Sequence, residues 1–252
     1  MATDEIVSYT PPSEKEEKEM TFLEHLEELR WRIIYALIGL GVGSLVCWIF
    51  VDFLVDDVLL LPARRVGVQL QNLKPFGQLM LYFEVAMVGG LILSLPNVFY
   101  QLWKFISPAL KKNERRYISA IVGFSTLCFL LGIVFAYFIM LPYSLKFASQ
   151  FGSANIKNVF AIDEYMTIIL SIMLGAGLVF ELPMISFFLT KLGILTPQFM
   201  RKYRRHAIVG IFIAAAFLSP GTDPVSMIIL AVPLLLLYEI SIIISKYSRK
   251  KS

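Results

Sequence analysis

Long apolar segments dominate this sequence and restrict its fold more than any other feature. Only 17% of the residues are charged, whereas a soluble domain carries about 25%. Inside lipid the backbone must satisfy its own hydrogen bonds, which only helices and closed barrels achieve. The segments are continuously apolar and do not alternate with polar residues, so the pattern predicts an all-α integral membrane protein.

The apolar segments predict six transmembrane helices, the fifth of them short. They cover about 33–55, 76–99, 117–141, 163–190, 207–218 and 225–245. We expect Asp56 and Asp57 to end the first span, Pro142 to close the third and Asp163 to cap the fourth. At about 1.5 Å per residue the fifth is roughly 18 Å long, less than the roughly 30 Å hydrocarbon core. A re-entrant hairpin and two spans that thin the bilayer both stay open, and we favour six spans.

The basic residues set the expected orientation. Of the 23 lysines and arginines, 18 fall on one side of a six-span arrangement and five on the other. The richer side is expected to be cytoplasmic, with both termini inside, although a re-entrant pair would give the same result. The basic residues follow short loops between spans, which indicates topology and not a nucleic-acid partner. The expected domains are a disordered cytoplasmic tail (1–19), one six-helix transmembrane domain (20–246) and a basic cytoplasmic tail (247–252).

Two polar segments at span borders carry acids that a membrane border does not require. The first lies at residues 21–33, where Glu24, Glu27 and Glu28 accompany an apolar stripe of helical spacing. An interfacial helix turn that leads into the first span explains the stripe but not three glutamates in five residues. The second is the basic loop at 100–116, where Glu114 is the single acid. That carboxylate either pairs with a neighbouring arginine or receives a cationic ligand.

Glu84, Glu181 and Glu239 are acids inside predicted spans. Glu181 lies ten residues before Lys191, about 15 Å deep, where a charge costs about 2.5–3.5 kcal/mol unless it is protonated or paired. It either forms an internal hydrogen bond or acts as a polar contact for a proton or a partner helix. For the other two we favour structural roles. The sequence contains no phosphate-binding loop and no nucleophile–base set, and its two histidines predict no metal site, so we expect no enzyme.

Several motifs then coincide with those of a known family. They are HLEELRWRI (25–33), YQLWKFISPALKKNERR (100–116), FAYFIMLP (135–142), FELP (180–183) and AVPLLLLYEISI (231–242). Along residues 20–245 the chain resembles TatC, the multispanning receptor subunit of the twin-arginine protein translocase. The resemblance implies six helices in a cupped arrangement with a short fifth and sixth. It also implies a cytoplasmic groove for signal peptides that carry two consecutive arginines.

The resemblance assigns signal-peptide recognition to Glu28 and Glu114, with Arg30 and Phe105 at the same site. A guanidinium pairs with a carboxylate through two parallel hydrogen bonds, which a lysine cannot copy. Two carboxylates on separate segments are therefore suited to two adjacent arginines. The surrounding basic residues would repel unmatched cations.

The resemblance further implies functional external positions at Pro62 and Asp223, and it makes Glu181 the acid that recruits partner subunits. The implied partners are single-span TatA-like and TatB-like subunits, signal peptides of folded precursors, membrane lipid and further copies of the chain. No cofactor is implied, since export would use the proton-motive force, and the expected location is a bacterial inner membrane. The turn at 219–227 lacks a glutamine that some relatives carry, and Glu84 has no family counterpart. A small-solute or ion transporter using Glu181 and Glu239 is the rival hypothesis, against which we find no internal repeat.

Overall fold

A computed structural model describes residues 22–107, 118–151, 158–218 and 224–250, and these are almost entirely helical. The helices are α1 (Phe22–Ile49), α2 (Val51–Phe53), α3 (Leu61–Val66), α4 (Gly77–Ile106), α5 (Ile118–Phe135), α6 (Leu141–Gln150), α7 (Ile162–Phe180), α8 (Leu182–Lys191), α9 (Pro197–Lys202), α10 (Arg204–Leu218) and α11 (Pro224–Lys250). Two π-helical turns, Leu54–Leu59 and Ala136–Met140, connect α2 to α3 and α5 to α6. Two strands, β1 (Gln69–Gln71) and β2 (Val159–Ala161), pair in parallel.

Within the described part of the chain, five helical stretches are long and apolar enough to cross a membrane. They are Leu23–Ile49, Gly77–Ile106, Ile118–Gln150, Ile162–Lys191 and Ser226–Tyr247. The predicted helical membrane fold is therefore confirmed. Helix α10 has 15 residues, about 22 Å, so it begins earlier than predicted but is still short for a bilayer. The number of six spans stays a prediction, whereas the expected short sixth helix is wrong, since α11 has 27 residues.

One predicted span end is wrong and another stays a prediction. The candidate first span ends at Ile49, before Asp56 and Asp57, and helical structure continues through the π-helical turn to Leu59 with both carboxylates exposed. Pro142 does not close the third span, which runs on to Gln150. A π-helical turn ends just before this proline, which occupies the first turn of α6, where its missing N–H is tolerated.

The predicted cap of the fourth span is also wrong. The residue at the N-cap is Ala161, without a side-chain cap, whereas Asp163 lies inside the first turn of α7 and pairs with Lys74. The fourth span is divided at Glu181, where α7 ends and α8 begins. Pro183 lies in the first turn of α8 and cannot donate the backbone hydrogen bond that would continue α7.

Small residues let the helices approach closely. Helices α1 and α4 pack antiparallel, and a Cβ atom added to Gly43 would lie 2.6 Å from the main-chain oxygen of Gly90. A larger side chain at this position would therefore push the two helices apart. The interior is built from side chains of α4, α5, α7, α11 and the two π-helical turns, together with the start of α6. Its largest fully buried apolar members are Met140, Leu141, Met166, Ile169, Leu230, Leu234, Ile242 and Val85.

Helix α11 is fixed near both ends by hydroxyl contacts. Ser226 at its start lies 2.5 Å from Ser144 of α6. Near its other end Ser245 accepts a 2.7 Å hydrogen bond from Thr190 of α8. All four side chains are buried, so each hydroxyl replaces lost hydration with a protein partner.

Candidate functional site

The first turns of α1 and the last turns of α4 form a polar cluster, which we call the α1–α4 site. Its members are His25, Glu28, Arg32, Gln101 and Phe105. The three residues from α1 are spaced by three and four, so they share one helix face. Because the two helices run antiparallel, that face meets the end of α4.

An ion pair lies at the centre of the α1–α4 site. Arg32 Nη2 donates to Glu28 Oε1 at 2.7 Å, and the side chains are only 17% and 19% exposed. Arg32 Nη1 also donates to Gln101 Oε1 at 3.3 Å, which ties α1 to α4. Glu28 Oε2 and Arg32 Nε are buried with no hydrogen-bond partner among the described residues. The pair is therefore single-pronged, although both groups could form two parallel bonds.

Aromatic stacking closes one side of the α1–α4 site. The ring centroids of His25 and Phe105 lie 4.4 Å apart, and the ring planes are inclined by 16°. His25 is three residues before Glu28, so the predicted site residues Glu28 and Phe105 do lie at the same end of the α1–α4 pair. Arg30, the other predicted member on α1, is exposed.

Glu28 and Arg32 in the first turns of α1 face the protein, whereas part of the apolar stripe of these turns faces outward. Leu26 is 44% exposed and Ile33 is 50% exposed, whereas Glu28 and Arg32 are largely covered by protein. An ordinary soluble amphipathic helix would be arranged the other way. The exposed apolar stripe suits contact with lipid.

A groove continues from the α1–α4 site along the two helices. Gln101 Nε2 donates to Asn97 Oδ1 at 3.3 Å, and Asn97 Nδ2 donates to the Tyr35 carbonyl at 3.0 Å. These polar groups border an open groove of about 470 Å³ with a mostly apolar lining that includes Ile38 and Val42. Its contents could therefore be apolar while its entrance is polar.

Glu114 and Asp223, two further predicted site residues, lie outside the described residues. The hypothesis that Glu28 and Glu114 form a two-carboxylate clamp therefore stays a prediction. Lys104, one residue before Phe105, lies 5.4 Å from the centroid of the Tyr100 ring. It places a positive charge at the same end of α4 as the α1–α4 site.

Pro62 lies at the far end of the bundle, within a cluster that we call the Pro62 end: Val58, Leu59, Pro62, Tyr137 and Tyr165. The proline has no N–H to offer the carbonyl four residues earlier, that of Val58. The Tyr137 hydroxyl donates to this carbonyl at 2.7 Å. The buried Tyr165 hydroxyl donates to the neighbouring Leu59 carbonyl at 2.8 Å. Pro62 is itself buried, so its observed surroundings are structural.

The strand pair and an ion pair join the two connecting segments near the Pro62 end. Strand β1 follows α3, and β2 precedes α7, with Leu70 aligned to Phe160. Just beyond β1, Lys74 pairs with Asp163 in the first turn of α7. This hydrogen bond raises the pKa of the Lys74 ammonium group. The strands have three residues each, and no pattern in the sequence indicated them.

Glu181 occupies the break between α7 and α8. The residue is 7% exposed, and its Oε1 atom has no hydrogen-bond partner among the described residues. Ser125 of α5 lies beside this carboxyl group. The single hydroxyl leaves the carboxyl group with unused hydrogen-bonding capacity inside the bundle.

The other acids of the predicted spans have different surroundings. Glu239 forms an ion pair with Arg204, whose Nη2 atom donates to Glu239 Oε2 at 2.5 Å. Both side chains are 48% exposed. This contact explains Glu239 as a link between α10 and α11, and it removes one of the two carboxylates that the transporter hypothesis requires. Glu84 borders a groove of about 370 Å³ near Lys74 and Asp163.

Comparison with known proteins identifies the family. The family model described as Sec-independent protein translocase protein (TatC) matches residues 24–233. The chain belongs to the TatC family. A TatC protein of Carboxydothermus hydrogenoformans is 36% identical over 236 residues, which cover 94% of this chain and 97% of that protein. A TatC protein of Koribacter versatilis is 39% identical over 89% of this chain and 84% of its own length.

A crystal structure described as the twin-arginine translocase receptor TatC has the same fold. It superposes with a TM-score of 0.76 at 35% identity and covers 89% of this chain and 99% of that one. The recognition of a TatC-like membrane protein is thus confirmed, and so is the class of a non-enzymatic translocase component. The roles of individual residues stay predictions.

Sequence reasoning missed His25, Arg32 and Gln101 as members of this TatC-family site. The signal for Arg32 was available, since Glu28 and Arg32 are four residues apart and this spacing favours an ion pair on a helix. The signal for Gln101 was not, because its contact depends on the register between α1 and α4.

Proposed function

We propose that this chain is the receptor subunit of a twin-arginine translocase, and that the α1–α4 site binds the paired arginines of a signal peptide. The observation that carries this proposal is the Glu28 carboxylate, which already accepts a guanidinium at 2.7 Å. Its surroundings therefore have the size and charge that an arginine side chain needs. The stacked ring of Phe105 supplies an apolar wall on which a guanidinium plane can lie.

The groove beside the α1–α4 site is suited to the apolar segment of the signal peptide. A signal peptide joins its arginines to an apolar segment, and the groove that begins at Gln101 and Asn97 is mostly apolar. Glu114 would supply the second carboxylate from the segment that follows α4. The basic loops would then face the cytoplasm of a bacterium, with six spans and both termini inside.

A photocrosslinking experiment tests the binding site. A photoreactive phenylalanine analogue replaces Phe105 in the full chain. The same analogue replaces Phe83 as a control, since Phe83 is 50% exposed but lies toward the opposite end of α4. We expect a twin-arginine precursor to label position 105 and not 83. A twin-lysine precursor should label position 105 much more weakly. Equal labelling by both precursors, or labelling by neither, would contradict the proposal.

The proposed complex also contains single-span TatA-like and TatB-like subunits and further copies of the chain, and it exports folded proteins with the proton-motive force. We propose that Glu181 makes a polar contact to a partner helix, because its carboxyl group has unused hydrogen-bonding capacity within the bundle. We expect Glu181→Ala to reduce copurification of the single-span subunits while twin-arginine peptides still bind. Glu84→Ala is the matched control. Full copurification with the Glu181 variant would rule out this contact.

A further inference from the structure

We propose that Arg32 is an internal ligand of the receptor: it occupies Glu28 at rest and must be displaced before an arginine of the signal peptide can bind. This inference rests on the proposed function. Arg32 would thereby set how tightly a peptide must bind to Glu28, and so which peptides are retained.

The Glu28 carboxylate is closed to a ligand at rest. Its Oε1 atom is taken by Arg32, and its Oε2 atom is buried. An incoming guanidinium cannot form two parallel bonds to Glu28 until Arg32 withdraws. The exchange replaces one guanidinium by another, so the carboxylate never loses its counter-charge in the bound state.

The resting pair of Glu28 and Arg32 is incomplete in its hydrogen bonds. Arg32 Nη2 forms one bond to Glu28, while Arg32 Nε and Glu28 Oε2 are both buried with no partner among the described residues. Buried polar atoms without partners weaken the state that contains them. A peptide arginine that approaches both carboxylate oxygens would satisfy Oε2 as well, so it can replace the internal ligand.

Arg32 has a second partner that it can keep when it leaves Glu28. Its Nη1 atom donates to Gln101 on α4, and Gln101 continues to Asn97. A displaced guanidinium can therefore stay hydrogen-bonded at the edge of the groove. The displacement needs a side-chain movement and no rearrangement of α1.

Competition of this kind has a defined thermodynamic signature. If only a fraction of the receptor has an open Glu28, every ligand of that carboxylate binds more weakly by the same factor. Removal of Arg32 should therefore tighten twin-arginine and twin-lysine peptides equally and leave their ratio unchanged. A residue that merely positions Glu28 would give the opposite sign, because its loss would weaken binding.

The test measures dissociation constants of fluorescent twin-arginine and twin-lysine peptides for the full chain in lipid nanodiscs. We expect Arg32→Gln to bind both peptides roughly three- to tenfold more tightly than the wild type. Arg32→Lys should fall between the two, since an ammonium still competes for Glu28 but cannot hold Glu28 and Gln101 together through one planar guanidinium. Lys104→Gln removes one positive charge from the same end of α4 without touching Glu28, so it reports the effect of charge alone.

Each outcome decides between the hypotheses. Tighter binding in the order Arg32→Gln, Arg32→Lys, wild type, with an unchanged peptide ratio, supports the internal ligand. Binding by Arg32→Gln that equals or falls below that of the wild type overturns it, as does an equal gain with Lys104→Gln. Those results leave the proposed receptor function intact as long as the wild type prefers arginine. A wild type that binds neither peptide removes the proposed function and this inference together.

The melting temperature of each Arg32 variant shows whether a change in affinity comes from loss of folding. Arg32→Lys keeps both the charge and most of the volume of the side chain, so it is expected to fold even if Arg32→Gln does not. Should Arg32→Gln unfold, an affinity for Arg32→Lys at or below that of the wild type overturns the inference by itself.

Discussion

The α1–α4 site and the Pro62 end satisfy their polar groups in opposite ways. At the Pro62 end, the hydroxyls of Tyr137 and Tyr165 donate to backbone carbonyls at 2.7 and 2.8 Å. At the α1–α4 site, charged side chains meet each other, and Glu28 Oε2 and Arg32 Nε are buried with no partner in the described part of the chain. The tyrosine hydroxyls stabilise the backbone at the Pro62 end. The ion pair of the α1–α4 site leaves two polar atoms whose hydrogen-bonding capacity is unused.

The difference follows from the chemistry of the groups involved. A tyrosine hydroxyl bonded to a carbonyl is neutral and complete, so no ligand gains by replacing it. A carboxylate–guanidinium pair can exchange one guanidinium for another at nearly constant charge. Partly buried ion pairs also contribute little net stability, because desolvation offsets most of the attraction. The contrast predicts that binding depends on the α1–α4 site and stability depends on the Pro62 end.

The largest expected effect comes from Glu28→Gln, which keeps the size of the side chain and removes its charge. Loss of one partner from a desolvated charge pair costs about 2–3 kcal/mol here, so affinity for a twin-arginine peptide should fall roughly 30- to 100-fold. Peptide titration in nanodiscs measures the fall. The melting temperature should change little.

Glu27→Gln is the matched control for this variant, since Glu27 is exposed and adjacent. An equal loss of affinity with both variants would mean that general negative charge attracts the peptide. The α1–α4 site would then have no special role, and the contrast with the Pro62 end would lose its functional half.

How far the sequence could anticipate these two regions depends on the range of the contacts. The apolar segments fixed the class of fold, and the motifs at 25–33 and 100–116 located the proposed site. The sequence did not anticipate that Glu28 is covered by Arg32, because the burial of that pair depends on how α4 packs. The β1–β2 pair joins Leu70 to Phe160, and residues so distant in sequence leave no local pattern.

The error at Pro142 has a physical cause. A proline ends helices in water, where the backbone carbonyl that it leaves without an N–H partner can bond to solvent. In this chain a π-helical turn lies just before Pro142. Tyr137, itself within the second π-helical turn, bonds to the carbonyl of Val58 near the end of the first. A tertiary donor of this kind lets a long helical stretch pass a residue that local rules treat as a stop.

An intermediate effect is expected from Tyr165→Phe, which tests the structural half of the contrast. The variant keeps the ring and removes the donor to the Leu59 carbonyl, which leaves a buried acceptor without its partner. The expected cost is about 1–2 kcal/mol, visible as a lower melting temperature. Peptide affinity should stay within about twofold of the wild type, because the α1–α4 site lies at the other end of α1.

Tyr143→Phe supplies the control, since Tyr143 is 56% exposed and should tolerate the change. If Tyr165→Phe weakened peptide binding as strongly as Glu28→Gln does, the two ends would be coupled. The division of labour between them would then be wrong.

The smallest effect is expected from Lys74→Gln, which removes the ion pair to Asp163 and leaves the β1–β2 pair in place. The ammonium group is exposed, and exposed ion pairs contribute little because solvent and salt screen them. Asp163 raises the pKa of Lys74 above its ordinary value of 10.5. A raised pKa means that the stabilisation is fully present below that ordinary value and is lost as the pH rises through the raised one.

The difference in melting temperature between the wild type and Lys74→Gln should therefore be small and equal at pH 7 and pH 9. It should disappear only in more alkaline solution. Lys146→Gln removes the same charge from an exposed position in α6 and should show no such dependence. A loss with Lys74→Gln as large as that with Tyr165→Phe would place the rigidity of the Pro62 end in its ion pair, and the distinction between charged and neutral bonding at the two ends would fail.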